Sequence, residues 1–472
     1  MRICIAAIIM FDLAIRISDL EMFYSNTGVV PLAMLFEHQW NDYFISLHVI
    51  SGLWQVQAIL FLAAFIFAIL LFIGYRTKLF TFLSWLMLLS LHNRNGYILQ
   101  GGDDLLRMVL FWGIFIPWGK KYSCDSILDP ELKENKIICT IACVAYLLQI
   151  CYIYSGSALL KGSEWHNDYS AMYYVYGLDQ IATPITKYLF YYPELLKKLT
   201  FLAYYFELLV PILFFIPFKH QYFRIIGVIS IIIFHLFNGI TLFIGLFPLI
   251  GIGTSVGILP ALVMDKFDNV TIILKERIAN SFLVISKYIN NIIGWKKPVY
   301  LLPKPFNNIK TAFLIFITLF VFDWNFSNLP FVESKLSDNL RFIGYGLRLD
   351  QNWGMFAPGV FKDDGWYVMD GVTKRNEHID LLRNGSKINL KKPVNIVSLF
   401  KNDRLRKYSE SLILDYNSYM RGYFCNYSKR VWNENKSKEK IKSLNVFYMS
   451  EFTLPDYIYS KPKSELLCGC DE

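Results

Sequence analysis

Four polar side chains interrupt apolar stretches of the chain, where an unpartnered polar group is costly. Lys161 follows the small residues Ser155–Ala158, Glu207 lies within LAYYFELLVP, and His235 and Asn238 lie within IIFHLFNGITLF. His235 and Asn238 are three positions apart and share one helical face, where Glu207 could pair with His235. A lysine removed from water loses proton affinity and can act as a base. These residues predict either a buried pocket with acid–base chemistry or separate interhelical hydrogen bonds, with Lys161 placed simply at the membrane interface.

A second polar group lies at the start of an apolar helix. Asp103 and Asp104 occupy its first turn, where the positive end of the helix dipole favours carboxylates, and Arg107 is close enough in sequence to reach both. Asn93 and Arg94 precede them. The segment predicts either a self-paired helix entry or a polar platform that faces an outward-opening cavity. On the second reading, Arg94 and Arg107 would bind an anionic group such as a carboxylate.

Neither the cysteines nor the histidines form a metal-binding pattern. The eight cysteines include no CxxC pair and no Cys/His zinc spacing, so the sequence predicts no metal. Three of them, Cys425, Cys468 and Cys470, lie in the part of the chain that we expect to be exported, where thiols can oxidise. We predict a disulfide from Cys425 to Cys468 or Cys470, with free thiols as the alternative.

The elements that must position these residues are membrane helices. The chain has 472 residues, of which 54% are hydrophobic and 18% are charged, and its mean hydropathy is +0.36. This composition predicts a membrane protein, and its contact with the lipid bilayer follows. Apolar runs indicate nine crossings, with eight as the alternative, at about 3–18, 53–73, 78–92, 104–118, 137–160, 199–217, 223–243, 245–264 and 310–326.

Charge bias supports this count. With the N-terminus inside, the loops expected in the cytoplasm carry sixteen Lys and Arg residues, and the opposite loops carry five. The segment 18–52 has no Lys or Arg. The formal charge of +9 is therefore a topology signal, and no nucleic-acid partner is predicted. The expected location is the cell's inner membrane.

Composition changes after residue 326. The segments Gly365–Thr373, Glu377–Leu382 and Leu444–Leu454 read as strands, and Asp403–Tyr423 reads as a helix. An odd number of crossings places this part outside the cytoplasm. We therefore predict an all-α polytopic membrane bundle over residues 1–326, followed by a small extracytoplasmic α+β domain over residues 327–472.

Several motifs, in this order, carry a family resemblance: LHNRNGYILQGGDDLLR, YSGSALLKGSEW, YGLDQIATP, FHLFNGITLFIGLFPLI and DQNWGMFAP. They resemble the horizontally transferred transmembrane (HTTM) domain family, the bacterial relatives of vitamin K-dependent gamma-carboxylase. Two features place the chain nearer the bacterial proteins than the animal enzymes. Asn93-Arg94-Asn95 stands where the carboxylases resemble Asn-Asn-His, and the C-terminal region is short.

The resemblance implies a site and cofactors. In the carboxylases a lysine base deprotonates a reduced quinone, and reaction with O2 then drives addition of CO2 to a glutamate side chain. Lys161 matches that lysine, His235 and Asn238 match the FHxxN pattern, and Glu207 matches an acid of the preceding helix. The implied roles are catalytic for Lys161, His235 and Glu207. The implied function is quinone-coupled modification of a secreted peptide or a lipid-soluble substrate at the outer membrane face.

The alternative is a non-catalytic membrane protein that binds or matures a secreted peptide. The two hypotheses differ in their demand on Lys161. Replacing Lys161 should abolish the product of an enzyme, whereas a binding protein should lose little.

Overall fold

The computed structural model describes residues 1–128, 140–270, 283, 284, 288 and 304–471. This part of the chain contains nineteen α-helices and five β-strands. The basic loop residues Lys133 and Lys136, and those between Lys275 and Lys297, lie outside the described residues. Cys139 also lies outside them.

The helices are α1 (Arg2–Ile17), α2 (Leu20–Tyr24), α3 (Leu32–His38), α4 (Trp54–Ile73), α5 (Thr77–Arg94), α6 (Gly101–Phe115), α7 (Cys124–Leu128), α8 (Ile141–Leu160), α9 (Ser163–His166), α10 (Ala171–Gly177), α11 (Thr186–Phe190), α12 (Pro193–Leu213), α13 (His220–Thr241), α14 (Phe247–Ser255), α15 (Ala261–Val270), α16 (Lys304–Ser327), α17 (Asp338–Leu347), α18 (Asp403–Leu412) and α19 (Tyr419–Glu434). The strands are β1 (Asp363–Thr373), β2 (His378–Asp380), β3 (Ser386–Lys387), β4 (Ile441–Phe452) and β5 (Lys463–Cys470).

Four described helices are long and apolar enough to cross a membrane. They are α4, α8, α13 and the Asn307–Ser327 part of α16. A fifth crossing arises if Phe247–Ile258 and Ala261–Val270, which meet at 100°, form one broken span. The nine predicted crossings are therefore not supported within the described residues.

Two other predicted spans form shorter helices that bury charged side chains. The run at 3–18 is α1, of 16 residues, and the run at 104–118 is α6, of 15 residues. Both bury charged side chains, among them Asp12 and Arg16 in α1 and Asp103 and Arg107 in α6. Neither helix is among the described helices that are long and apolar enough to cross a membrane.

Neighbouring helices pack in pairs around one apolar core. α1 packs on α4, α5 on α6, α8 on α12, and α13 on α14. α4 ends at Gly74, whose φ of 73° lets its N–H turn back to the carbonyls of Leu70 and Leu71. The core continues from Trp112 of the bundle through Trp353 to Tyr408 and Leu444 of the C-terminal region.

The C-terminal region contains an antiparallel sheet of strand order β3-β2-β1-β4-β5. β1 and β4 pair along their length, from Asp363 opposite Phe452 to Thr373 opposite Ile441. The predicted strands correspond to β1, β2 and β4, so the expected α+β character is confirmed. β3 and β5 were not predicted, and the predicted helix over 403–423 is divided into α18 and α19.

Candidate functional site

Lys161 and Glu207 form a buried ion pair inside the helical bundle. Lys161 directly follows α8, and Glu207 lies on α12. The Lys161 ammonium donates a hydrogen bond to Glu207 Oε2 and a second one, of 3.1 Å, to Ser157 Oγ. The two charged side chains are only 2% and 6% exposed, and the Trp165 ring lies 4.2 Å from the Lys161 nitrogen. A cation and a carboxylate are thus held together away from water.

A second pair joins Tyr154 of α8 to His235 of α13. The Tyr154 hydroxyl lies 3.0 Å from His235 Nε2. Tyr154 and Ser157 are three positions apart and share one face of α8, and Lys161, directly after the helix, reaches back to Ser157. The Tyr154 ring also contacts the ring of Phe206, the neighbour of Glu207 on α12, at 5.6 Å between centroids, which places the two pairs side by side in one cluster. The sequence allowed Glu207 to pair with His235, whereas in the structure Glu207 pairs with Lys161 and His235 lies beside Tyr154.

The surroundings of His235 hold its ring in place. Gly251 of α14 packs against the ring so closely that a Cβ atom there would lie 2.1 Å from Nε2. Phe247 contacts the ring edge-on at 5.3 Å between centroids. His235 Nδ1 is buried and has no hydrogen-bond partner among the described residues. Asn238, one turn further along α13, is partly exposed.

The segment DQNWGMFAP covers this cluster. Trp353 packs on Gly156, where an added Cβ would be 3.4 Å from the Trp353 side chain. The Gly162 N–H donates to Pro358 O at 2.6 Å, and Trp165 Nε1 donates to Phe356 O at 2.9 Å. The chain just after Lys161 is thereby fixed to a segment that follows the last described membrane helix.

The acids at the start of α6 have separate partners. Arg107 pairs with Asp104 at 2.9 Å, and its guanidinium also donates to the carbonyls of Arg348 and Asp350. Asp103 instead accepts from Arg16 at 2.7 Å and from Arg404 at 2.8 Å. The expectation that Arg107 reaches both acids is therefore wrong for Asp103.

Asn93 and Arg94 are enclosed. Asn93 donates to Ile45 O at 2.9 Å and accepts a hydrogen bond from Arg348. Arg94 is 0% exposed and donates to Val30 O at 2.8 Å. These two residues therefore lie in a closed polar layer, which differs from the expected platform on an open cavity. A binding role for them stays a prediction.

Comparison with known proteins shows which family the chain is related to. Residues 1–260 match the model of the lipase maturation factor transmembrane domain. The chain belongs to this family. No curated protein and no solved structure matches the chain significantly. The expected multi-pass membrane protein is confirmed, whereas the resemblance to HTTM proteins and to carboxylases stays a prediction.

The matched range contains the whole Lys161 cluster, which consists of Tyr154, Ser157, Lys161, Glu207 and His235. It does not contain the segment DQNWGMFAP that covers the cluster. Sequence reasoning identified Lys161, Glu207 and His235 and missed Tyr154 and Ser157. The spacing of Tyr154 and Ser157 on the face of Lys161 could have revealed both. Arg404, which supplies the second cation to Asp103, lies outside the matched range and carried no such signal.

Three carboxylates meet where the sheet contacts the loop after α10. Ligand oxygens of Asp179, Asp364 and Glu451 lie within 4.8 Å of one another. The Lys392 ammonium lies among them, 2.5 Å from Asp179 and hydrogen-bonded to Glu451. A lysine thus supplies the countercharge that a metal ion would bring. Burial, reinforced by Asp179, raises the pKa of Asp364 to about 7.

The three cysteines of the C-terminal region are free thiols in the structure. The Cys425 thiol lies within hydrogen-bonding reach of both Cys468 and Cys470. Burial, with Cys425 nearby, raises the pKa of Cys470 to about 12, so this thiol is protonated at neutral pH. The pairing of Cys425 with Cys468 or Cys470 stays a prediction, now with the thiols adjacent.

Proposed function

We propose that this protein assists the maturation of an exported protein at the outer face of a membrane. The observation that carries the proposal is the match of residues 1–260 to the lipase maturation factor transmembrane domain. By its name, that family acts on lipases, so an exported lipase is the first client class to test. The proposal also agrees with the non-catalytic alternative drawn from the sequence.

The attachment of the C-terminal region supports this role. Arg404 of α18 enters the bundle to bind Asp12 at 2.7 Å, and Lys401 binds Asp19 at 2.6 Å. Arg430 of α19 binds Glu21 at 3.0 Å. The α+β domain that we assign to residues 327–472 is therefore fixed to the membrane domain, as a platform that receives a client beside the membrane requires.

Contacts of the C-terminal region also support an orientation of the protein in the membrane. The segment 18–52 and the loop around Asp179 are both expected outside the cytoplasm from their position between predicted spans, and both contact the C-terminal region. We propose that this region is extracytoplasmic, with the N-terminus in the cytoplasm and the protein in the cell's inner membrane. Reporter fusions after Tyr43 and after Glu472 should both report an outside location.

The test of the maturation role is the specific activity of a secreted lipase, measured as activity per amount of exported enzyme. We expect this ratio to fall in cells that lack the protein and to recover with the wild-type chain. Arg404→Met should recover less than its matched control Arg430→Met. Equal ratios with and without the protein would overturn the proposal for lipases.

A second candidate function is quinone-coupled carboxylation, favoured by the Lys161 cluster. We propose Lys161 as its base, with its charge balanced by Glu207 and its surroundings kept dry by Trp165 and Trp353. The residues fit a quinone, because the unpartnered Nδ1 of His235 offers a hydrogen bond and Phe247 offers an apolar wall. Bound in reduced form, the quinone would supply the electrons that reduce O2.

This candidate has two direct tests. The ultraviolet spectrum of the purified protein should show a bound quinone. Incubation with a hydroquinone, O2, labelled CO2 and secreted peptides should place label on a peptide, and Lys161→Met should abolish it. Lys197→Met, which alters an exposed pair with Glu194, is the control. Absence of both the quinone and the label would leave the maturation role alone.

A further inference from the structure

Arg94, the last residue of α5, is a buried cation that has no carboxylate partner among the described residues. Its Nη2 donates to the Val30 carbonyl, but Nε and Nη1 have no acceptor there. Three other buried arginines differ in this respect. Arg16, Arg107 and Arg404 each lie close to a carboxylate, at 2.7, 2.9 and 2.7 Å. Because a guanidinium stays protonated in proteins, Arg94 keeps its charge.

A third unsatisfied donor belongs to His48, whose tautomer follows from its partners. Ser90 Oγ accepts the backbone N–H groups of Leu47 at 2.7 Å and of His48 at 3.1 Å. Its own proton can go to His48 Nδ1 at 2.7 Å or to Ser46 Oγ at 3.1 Å, and we assign it to the closer acceptor, His48 Nδ1. The ring proton therefore resides on Nε2, which is buried and has no acceptor among the described residues.

The charge around these donors is positive. His48 is neutral, because burial together with Arg94 and Arg16 lowers its pKa to about 3. The neighbouring acids Asp12 and Asp103 are already balanced by Arg16 and Arg404. Arg94 thus adds one uncompensated positive charge to a closed region. Burial of an unpaired charge costs several kcal/mol, so a compensating group is expected.

We propose that Arg94 and His48 bind a small monovalent anion, either a halide or a small carboxylate such as formate. One negative charge would balance Arg94 and would accept from its free N–H groups and from His48 Nε2. Full burial limits the anion to a few atoms. Val30 and His48 both belong to the segment 18–52, whereas Arg94 belongs to the bundle. The anion would therefore fasten this segment to the helices.

The main rival occupant is water. Gln57 donates to the His48 carbonyl at 2.9 Å, and its Oε1 is buried without a donor among the described residues. A water molecule could donate to Gln57 Oε1 and accept from one N–H group of Arg94. Water would not neutralise the charge of Arg94. A change of stability with anion concentration therefore distinguishes a bound anion from a bound water.

The test measures the thermal unfolding midpoint of the full chain in lipid nanodiscs at constant ionic strength. Gluconate, which is too large for the site, is replaced stepwise by chloride or by formate. We expect a saturable rise for the wild type and for Arg375→Gln, which alters an exposed arginine of the C-terminal region, and none for Arg94→Gln. The anion that acts at the lower concentration identifies the class. A flat wild-type response, or an equal response of Arg94→Gln, would overturn the proposal.

A second variant keeps the cation. His48→Phe removes the Nε2 donor together with the Nδ1 contact to Ser90 Oγ. Loss of one hydrogen bond to a charged group should raise the half-saturating anion concentration about tenfold or more. This variant decides the matter if Arg94→Gln does not fold. An unchanged half-saturating concentration would overturn the assignment of His48 to the site.

Discussion

Arg404 donates hydrogen bonds to both carboxylate oxygens of Asp103, although 301 positions separate the two residues in the chain. The same guanidinium reaches Asp12 of α1 at 2.7 Å. Asp12 also binds Arg16, which binds Asp103 in turn. Two acids and two arginines thus form a closed, neutral group. It joins the membrane helices to α18 of the C-terminal region.

Replacement of Arg404 by methionine should destabilise the protein strongly. Loss of one partner from a buried ion pair costs about 3–5 kcal/mol, because the remaining charge is left without compensation. The thermal unfolding midpoint in nanodiscs should fall, and limited proteolysis should separate the C-terminal region earlier. Arg430→Met, which removes a partly exposed pair with Glu21, should cost less than about 1 kcal/mol. Equal midpoints for the two variants would contradict the role of Arg404.

The effects of replacing Lys161 and Glu207 on the stability of the protein should depend on each other. Lys161→Met and Glu207→Gln should each destabilise by about 3–5 kcal/mol, because each leaves one buried charge. The double variant, which has neither charge, should be more stable than either single variant. Unfolding midpoints of the four proteins form the cycle that measures the coupling. If the single effects simply add, the pair is not coupled as the structure describes.

Asp364 should give stability an unusual dependence on pH. Its folded pKa of about 7 lies above the unfolded value of about 3.9. Between these values the folded protein holds a proton that the unfolded chain releases, so this group's contribution to stability falls as pH rises. Asp364 faces Asp179, Glu451 and Lys392, and its asparagine variant keeps an acceptor for the Asp179 N–H.

The measurement compares Asp364→Asn with the wild type. The stability of the variant relative to the wild type should rise by roughly 1–3 kcal/mol between about pH 5 and about pH 8. Asp363→Asn, at the exposed neighbouring position, should show no such change. A constant difference across this range would indicate that the Asp364 carboxyl has an ordinary pKa.

The thiols of the C-terminal region should form one disulfide under oxidising conditions. Cys425 is next to both Cys468 and Cys470, so peptide mapping without reduction should find Cys425 joined to one of them. The bond should stabilise the protein by about 2–4 kcal/mol, measured as the midpoint difference with and without a reductant. Cys425→Ser should remove this difference, and Cys151→Ser should not. Three free thiols after oxidation would contradict the prediction.

The sequence predicts local pairs better than distant ones. Asp12 and Arg16, four positions apart, form a pair at 2.7 Å, as this spacing on a helix favours. Asp103 could not be assigned in this way, since its partner Arg404 depends on how the C-terminal region docks. For the same reason, the sequence left open whether Glu207 on α12 pairs with His235, and in the structure it pairs with Lys161.

The strands show a similar limit. β1 and β4 contain β-formers and lie in the centre of the sheet, and both were predicted. β5 is an edge strand with the sequence KSELLCGC, and its side chains are mostly exposed. A strand that buries little has no hydrophobic alternation to reveal it, so only the pairing with β4 identifies it.

The position of Arg404 near the end of the chain has a consequence for biosynthesis. Helices α1 to α6 leave the ribosome with two acids, Asp12 and Asp103, that share a single arginine, Arg16, until α18 has been made. The first helices to enter the membrane are thus among the last to become electrically neutral. A chain interrupted before residue 404 would leave Asp12 and Asp103 without the second of the two arginines that bind them.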